Sequence, residues 1–278
     1  MQRELKLRIV SGLILAVIVL AATWYGGLAF RILAAAIGLL IYYEWSKITG
    51  IARDWVANAV GWIGEAAVAF LVLVGNFEFA AGMLAGVTAV GIALIILHGT
   101  SRWFPAGLFY AGATGLALAA IRSDDRPGLY AMLFVFAVVW ATDILAYFVG
   151  RALGGPKLAP SISPGKTWSG AIGGAVSAVA AGVVLVHFLL PGAEIIAAGV
   201  ALVLSVCSQS GDLFESFIKR KFGVKDSSHL IPGHGGVMDR VDGLIFCLFF
   251  GASRVGAEAV RSNLTISLGK VASADAVK

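Results

Sequence analysis

Charge is scarce in this sequence. Of 278 residues only 13% are charged and 59% are hydrophobic, with a mean hydropathy of +0.90. A soluble globular domain carries roughly 25% charge, so that class is excluded. Histidine is also rare, with four residues, and cysteine rarer, with two. Cys207 and Cys247 both fall in apolar runs and read as small core residues. Without Cys or His partners at ligand spacing, His229 and His234 do not suggest zinc. The excess of base over acid does not indicate nucleic acid, because the basic residues lie in short stretches between apolar runs.

What is abundant is apolar sequence about 20 residues long, the length a helix needs to cross a bilayer. Nine such runs can be drawn, near 9–25, 28–46, 56–75, 78–97, 103–121, 128–149, 168–190, 193–214 and 241–260. The expectation is an all-α polytopic protein in the lipid bilayer, read as one membrane domain. Residues 1–127 form a scaffold, 128–260 a catalytic half and 261–278 a polar tail. With the N-terminus in the cytoplasm, 14 of the 21 Lys and Arg residues fall on the cytoplasmic side, as the positive-inside rule requires. Gly82 and Gly86 form one GxxxG pair and Gly170 and Gly174 another, both read as tight helix packing. Glu44 stands beside Trp45, which an interfacial position explains. Glu65 is deeper and has no visible partner.

The scarce charge is concentrated between Ser208 and Asp242. Asp212, Ser216, Lys219 and Arg220 lie at i, i+4, i+7 and i+8, on or beside one helix face. Asp239 and Asp242 lie at i and i+3. Between the Asp212–Arg220 group and Asp239, Pro232-Gly233-His234-Gly235-Gly236 cannot be regular helix, and its glycines let backbone N–H groups approach an anion. Carboxylates, cations and a glycine-rich bend suggest a metal–phosphate site, with magnesium favoured by hard oxygen ligands. Asp143 lies within the 128–149 run, about 10 Å below its cytoplasmic end at 1.5 Å per residue. The basic stretch 151–167 is joined to the 219–240 stretch by two crossings, so both return to the same side. It contains Gly-Lys-Thr but is not a P-loop, since Pro160 stands where the first glycine is needed.

The order of these residues resembles the signature of the phosphatidate cytidylyltransferases, or CDP-diglyceride synthases. The matching positions are Ser216, Lys219-Arg220, Lys225-Asp226, His234-Gly235-Gly236 and Asp239-Arg240-Val241-Asp242. Upstream, Ser163, Pro164, Lys166, Thr167 and Trp168 match a second family stretch, although many members have Glu or Gln where Ser169 stands here. A solvated basic loop would explain the charge but not this order. The resemblance implies CTP and phosphatidate as substrates, CDP-diacylglycerol and pyrophosphate as products, and Mg2+, with two divalent ions at the site. It implies Asp212 and Asp239 as metal ligands, then Asp242 and Asp143. Lys166, Lys219, Arg220, Lys225 and Arg240 would hold phosphates, and Lys219 would meet charge on the departing pyrophosphate. Ser163, Thr167, Ser216, Asp226, His234, Gly235 and Gly236 would line the substrate site. The expected setting is the inner membrane of a bacterium, with the site facing the cytoplasm and a homodimer among the open arrangements. Two alternatives stand: a CTP-dependent polyprenol or phytol kinase, which would release CDP, and an ion-coupled transporter using Asp143 and Asp212.

Overall fold

The computed structural model describes residues 2–231 and 235–252. His234, Pro232, Gly233 and the tail 261–278 lie outside them. The described residues form nine α-helices and one small hairpin. In order these are α1 (Gln2–Tyr25), α2 (Gly27–Ile48), α3 (Trp55–Leu73), α4 (Phe77–His98), α5 (Trp103–Arg122), α6 (Arg126–Leu153), β1 (Lys157–Ala159), β2 (Ser163–Thr167), α7 (Trp168–Leu189), α8 (Glu194–Lys221) and α9 (Met238–Ala252). Seven of them, α2 to α8, are long and apolar enough to cross a membrane. The chain is an all-α polytopic membrane protein.

The helix starts follow from local chemistry. Each helix begins with backbone N–H groups that lack an internal partner. Asp54 accepts from Val56 N and Ala57 N, Asn76 from Phe79 N, Asp125 from Gly128 N, and Thr167 from Gly170 N. Their side chains cap α3, α4, α6 and α7. The hydropathy runs and the helices differ at two ends. Hydropathy fades near 149 and 214, but α6 continues to Leu153 and α8 to Lys221. Each has 28 residues, about 42 Å at 1.5 Å per residue, which exceeds a hydrocarbon core of about 30 Å. Hydropathy records contact with lipid, whereas a helix continues through Lys and Arg at little cost. Asp143 is therefore ten residues from the end of α6, about 15 Å. The stretch 151–167 is not an open loop: β1 and β2 pair antiparallel, Lys157 opposite Thr167.

The chain separates into two compact units. One is built by residues up to 124 with 218–241, the other by 125–217 with the residues from 242. The signature segment 218–241 belongs with the N-terminal helices.

In the first unit α2 and α5 approach through glycine. A Cβ at Gly115 would stand 2.9 Å from Ala34 O, and one at Gly107 would collide with the Trp45 indole. Tyr42, Trp45, Phe104 and Leu108 are fully buried there. The Arg122 guanidinium closes the end of α1, donating to Thr23 O at 2.5 Å and Trp24 O at 3.4 Å. In the second unit a Cβ at Gly170 would lie 2.7 Å from Ala146 O, and one at Gly174 2.9 Å from Thr142 O. This GxxxG pair packs α7 on α6 as expected. The other does not: Gly82 and Gly86 have nothing within 4 Å of an added Cβ. Among the described residues nothing packs against these two glycines, so the expected tight packing is absent there.

The contrast makes a prediction. Gly174→Leu forces α7 off α6 and costs about 3 kcal/mol or more, as overpacking does. Gly86→Leu changes stability by less than about 0.5 kcal/mol, as open-surface substitutions do. Thermal unfolding of both variants in one detergent measures the difference.

Candidate functional site

The expected site residues gather in two constellations, one in each unit. In the second unit the centre is Asp212 on α8. Its side chain is only 17% exposed. Lys166 of β2 donates to Asp212 Oδ2 at 2.8 Å, while Asp212 Oδ1 is buried and accepts no hydrogen bond among the described residues. One turn earlier, the buried Ser208 Oγ also has no partner. Both oxygens face Gly243 of α9, where a Cβ would stand 2.6 Å from Ser208 Oγ and 2.8 Å from Asp212 Oδ1. The negative charges of Asp242 and Asp143 act on Asp212. Three carboxylates therefore share a neighbourhood, and Lys166 is in direct contact with Asp212. Like charges at such spacing repel, and buried acceptors without donors cost free energy.

The hairpin brings Lys166 to this place. Thr167 caps α7 and, with Ser169, fixes the hairpin base: the Ser169 hydroxyl donates to Gly154 O and lies 3.0 Å from Thr167 Oγ1. Ser169 thus has a structural place although the family often has a longer side chain there. Ser163 begins β2 opposite Ala159. Ser216 follows Asp212 by one turn of α8.

In the first unit the centre is Asp239, the second residue of α9. Lys219 Nζ donates to its Oδ1 at 2.6 Å. Its Oδ2 accepts from Ser227 N at 2.9 Å, Ser227 Oγ at 2.8 Å and Gly236 N at 2.8 Å. The pair is largely buried, with Lys219 13% and Asp239 6% exposed. Gly235 has φ +82°, a left-handed conformation, and a Cβ there would stand 2.7 Å from Asp239 Oδ2. The glycines thus shape the bend around a carboxylate. Arg220, Lys225, Asp226 and Arg240 are exposed. Arg220 donates to Val224 O at 3.3 Å, and Lys221 Nζ stands 5.4 Å over the Trp103 ring.

Sequence reasoning missed Glu44. Its side chain is fully buried within the protein, at 0% exposure. Its Oε1 accepts from Ser228 Oγ at 2.6 Å and Val237 N at 2.8 Å, and its Oε2 from Ser227 Oγ at 2.9 Å and Met238 N at 2.7 Å. One signal pointed there: Gly235-Gly236-Val237 offers no capping side chain for the start of α9, so its first amides need an acceptor from elsewhere.

Comparison with known proteins places these residues in a family. The model of the cytidylyltransferase family matches residues 6–254. The chain belongs to the cytidylyltransferase family. Relatives named phosphatidate cytidylyltransferase include that of Brucella abortus, 45% identical over 246 residues, covering 87% of this chain and 90% of the relative. That of Haemophilus influenzae is 34% identical over 272 residues, covering 86% and 94%. That of Bacillus subtilis is 33% identical over 263 residues, covering 89% and 96%. The match spans both constellations of this cytidylyltransferase-family chain.

The two aspartates predict opposite stability effects. Asp239→Asn puts an amide among four donors and leaves Lys219 without its carboxylate, costing about 3 kcal/mol as breaking a buried pair does. Asp212→Asn keeps an acceptor for Lys166 and removes one of three neighbouring negative charges, so stability is unchanged or rises. Thermal unfolding of the two variants in one detergent checks the sign.

Proposed function

We propose that this chain is a phosphatidate cytidylyltransferase. It joins the cytidylyl group of CTP to phosphatidate, giving CDP-diacylglycerol and pyrophosphate, a step of phospholipid biosynthesis. The observation that carries the reading is the ordered Ser216-to-Asp242 signature within a chain 45% identical to a relative of that name. A phosphatidate oxygen attacks the α-phosphorus of CTP. The bond to the bridging oxygen breaks, and its electron pair leaves on pyrophosphate. The lipid phosphate is already an anionic nucleophile, so no protein nucleophile is needed. The protein's task is alignment and charge neutralisation, as in other phosphoryl transfers.

Lys166 and the exposed cations Arg220, Lys225 and Arg240 suit the triphosphate and the lipid phosphate. Arg presents a planar fork and Lys a point charge. Lys219, held on Asp239, orders the signature loop and keeps positive charge beside it. Thr167, Ser163 and Ser216 belong to the unit that holds Lys166, and Asp226, beside Gly235, to the unit that holds Arg220, Lys225 and Arg240.

The donors fit a divalent ion such as Mg2+. Asp212 Oδ1 is an orphaned carboxylate oxygen beside Gly243, with Asp242 as its negative neighbour. Among the described residues no three His, Cys, Asp or Glu side chains form a metal-holding group. Magnesium commonly takes one or two carboxylates and completes its shell with waters and substrate phosphates. Asp212 is the first candidate ligand, then Asp242 and Asp143. Asp239 has donors on both oxygens and is the less available ligand. When bound, one or two such ions would polarise phosphoryl oxygens and neutralise charge on the leaving group.

The reading places the basic segments on the cytoplasmic side of a bacterial inner membrane. The diacyl tails stay in lipid while CTP arrives from water. Cysteines placed by Lys225→Cys and Pro191→Cys test this. The impermeant thiol reagent should reach the second in intact cells and the first only after the membrane is opened. The reverse pattern contradicts the orientation.

Purified protein given labelled CTP and phosphatidate should release pyrophosphate and form lipid-linked CMP. Release of CDP would instead indicate a kinase. Chelation of divalent ions should abolish turnover and Mg2+ restore it. Asp212→Asn should lower turnover at least about 100-fold at saturating magnesium, the scale for losing a charge that stabilises a transition state.

A further inference from the structure

We infer that Glu44 is the positioning residue of the signature loop, setting from α2 the geometry in which Gly235, Gly236, Asp239 and Arg240 work. The inference rests on the cytidylyltransferase reading for its effect on turnover, and on geometry alone for its effect on the loop.

Each Glu44 oxygen takes one hydroxyl and one backbone amide, and all four donors come from Ser227, Ser228, Val237 and Met238. The carboxylate therefore ties together two parts of the loop ten residues apart. The amides of Val237 and Met238 are first-turn donors of α9, where a negative charge is favoured. No side chain at 235–237 can cap that turn, so the cap is supplied from α2. Gly236 leaves no room for adjustment: a Cβ there would collide with Ser227 Oγ and with Glu44 Oε1.

The consequence reaches Asp239 through one hydroxyl. Ser227 Oγ lies 2.9 Å from Glu44 Oε2 and 2.8 Å from Asp239 Oδ2. Its proton can serve only one of them at a time, so each carboxylate depends on its other donors for the remainder. Glu44 fixes Met238 N, and the next residue is Asp239, which holds Lys219. Displacing the first turn of α9 thus moves Asp239, Arg240 and the Lys219 ammonium together. Misplacement of about 1 Å at a reacting centre can cost about 100-fold in rate. Glu44 touches none of the reacting groups proposed above and acts through the loop.

The test uses Glu44→Gln in the full-length protein. Glutamine keeps the volume and one acceptor oxygen but turns an NH2 toward a backbone N–H. Hydrogen exchange at the 235–241 amides should accelerate at least about 10-fold, since local opening sets that rate. Turnover at saturation should fall about 30-fold while the Michaelis constant for CTP stays within about threefold, the split expected of lost alignment rather than lost binding. The melting temperature should fall by only a few degrees. Ser228→Ala, which removes one donor, should lower turnover about threefold, and adding it to Glu44→Gln should cost nothing more, because coupled contacts are not additive. Unchanged exchange at these amides overturns the inference. So does turnover within about threefold of the parent, a loss matched by loss of folded protein, or additive effects in the double variant. If the parent forms no lipid-linked CMP, the proposed activity fails, and the exchange measurement still decides whether Glu44 holds the loop.

Discussion

A buried carboxylate must be met by donors or it destabilises the fold. Glu44 meets four, all from the segment that carries the family signature. That requirement explains several features at once. It explains why α9 can begin after two glycines and a valine without a local cap. It explains why Gly236 carries no side chain. It also explains why residues 218–241 are counted with the N-terminal helices, although they follow them by about a hundred residues. The N-terminal half is thus more than a scaffold, since α2 supplies the acceptor on which the loop is built.

The two constellations treat their aspartates differently. Asp239 is saturated with donors, as a structural carboxylate is. Asp212 is held on one side only, by Lys166, and keeps an orphaned oxygen beside two further carboxylates. Natural proteins seldom leave buried acceptors unpaired, and those they do leave tend to mark sites where a ligand or ion completes the set. The asymmetry supports the proposal in which Asp239 orders the loop and Asp212 contacts the ligand. The motif alone gave the two equal standing.

Sequence by itself determined the class. Low charge and repeated apolar runs of bilayer length point to an all-α membrane protein, because only internally hydrogen-bonded helices or closed barrels tolerate lipid. It determined the helix starts, through Asp54, Asn76, Asp125 and Thr167. It also determined the family, because the order of charged residues from Ser216 to Asp242 is local information. Tertiary structure decided what depends on distant partners. The ends of α6 and α8 outran the hydropathy signal because a helix needs good helix formers, not lipid contact. Gly170 and Gly174 pack against a neighbour and Gly82 and Gly86 do not, although the two patterns read alike. Glu44 looked like an interfacial acid because its partners lie 183 to 194 residues away. No local pattern encodes a contact of that span, and only the folded chain brings an acid on α2 to the unsatisfied amides of α9.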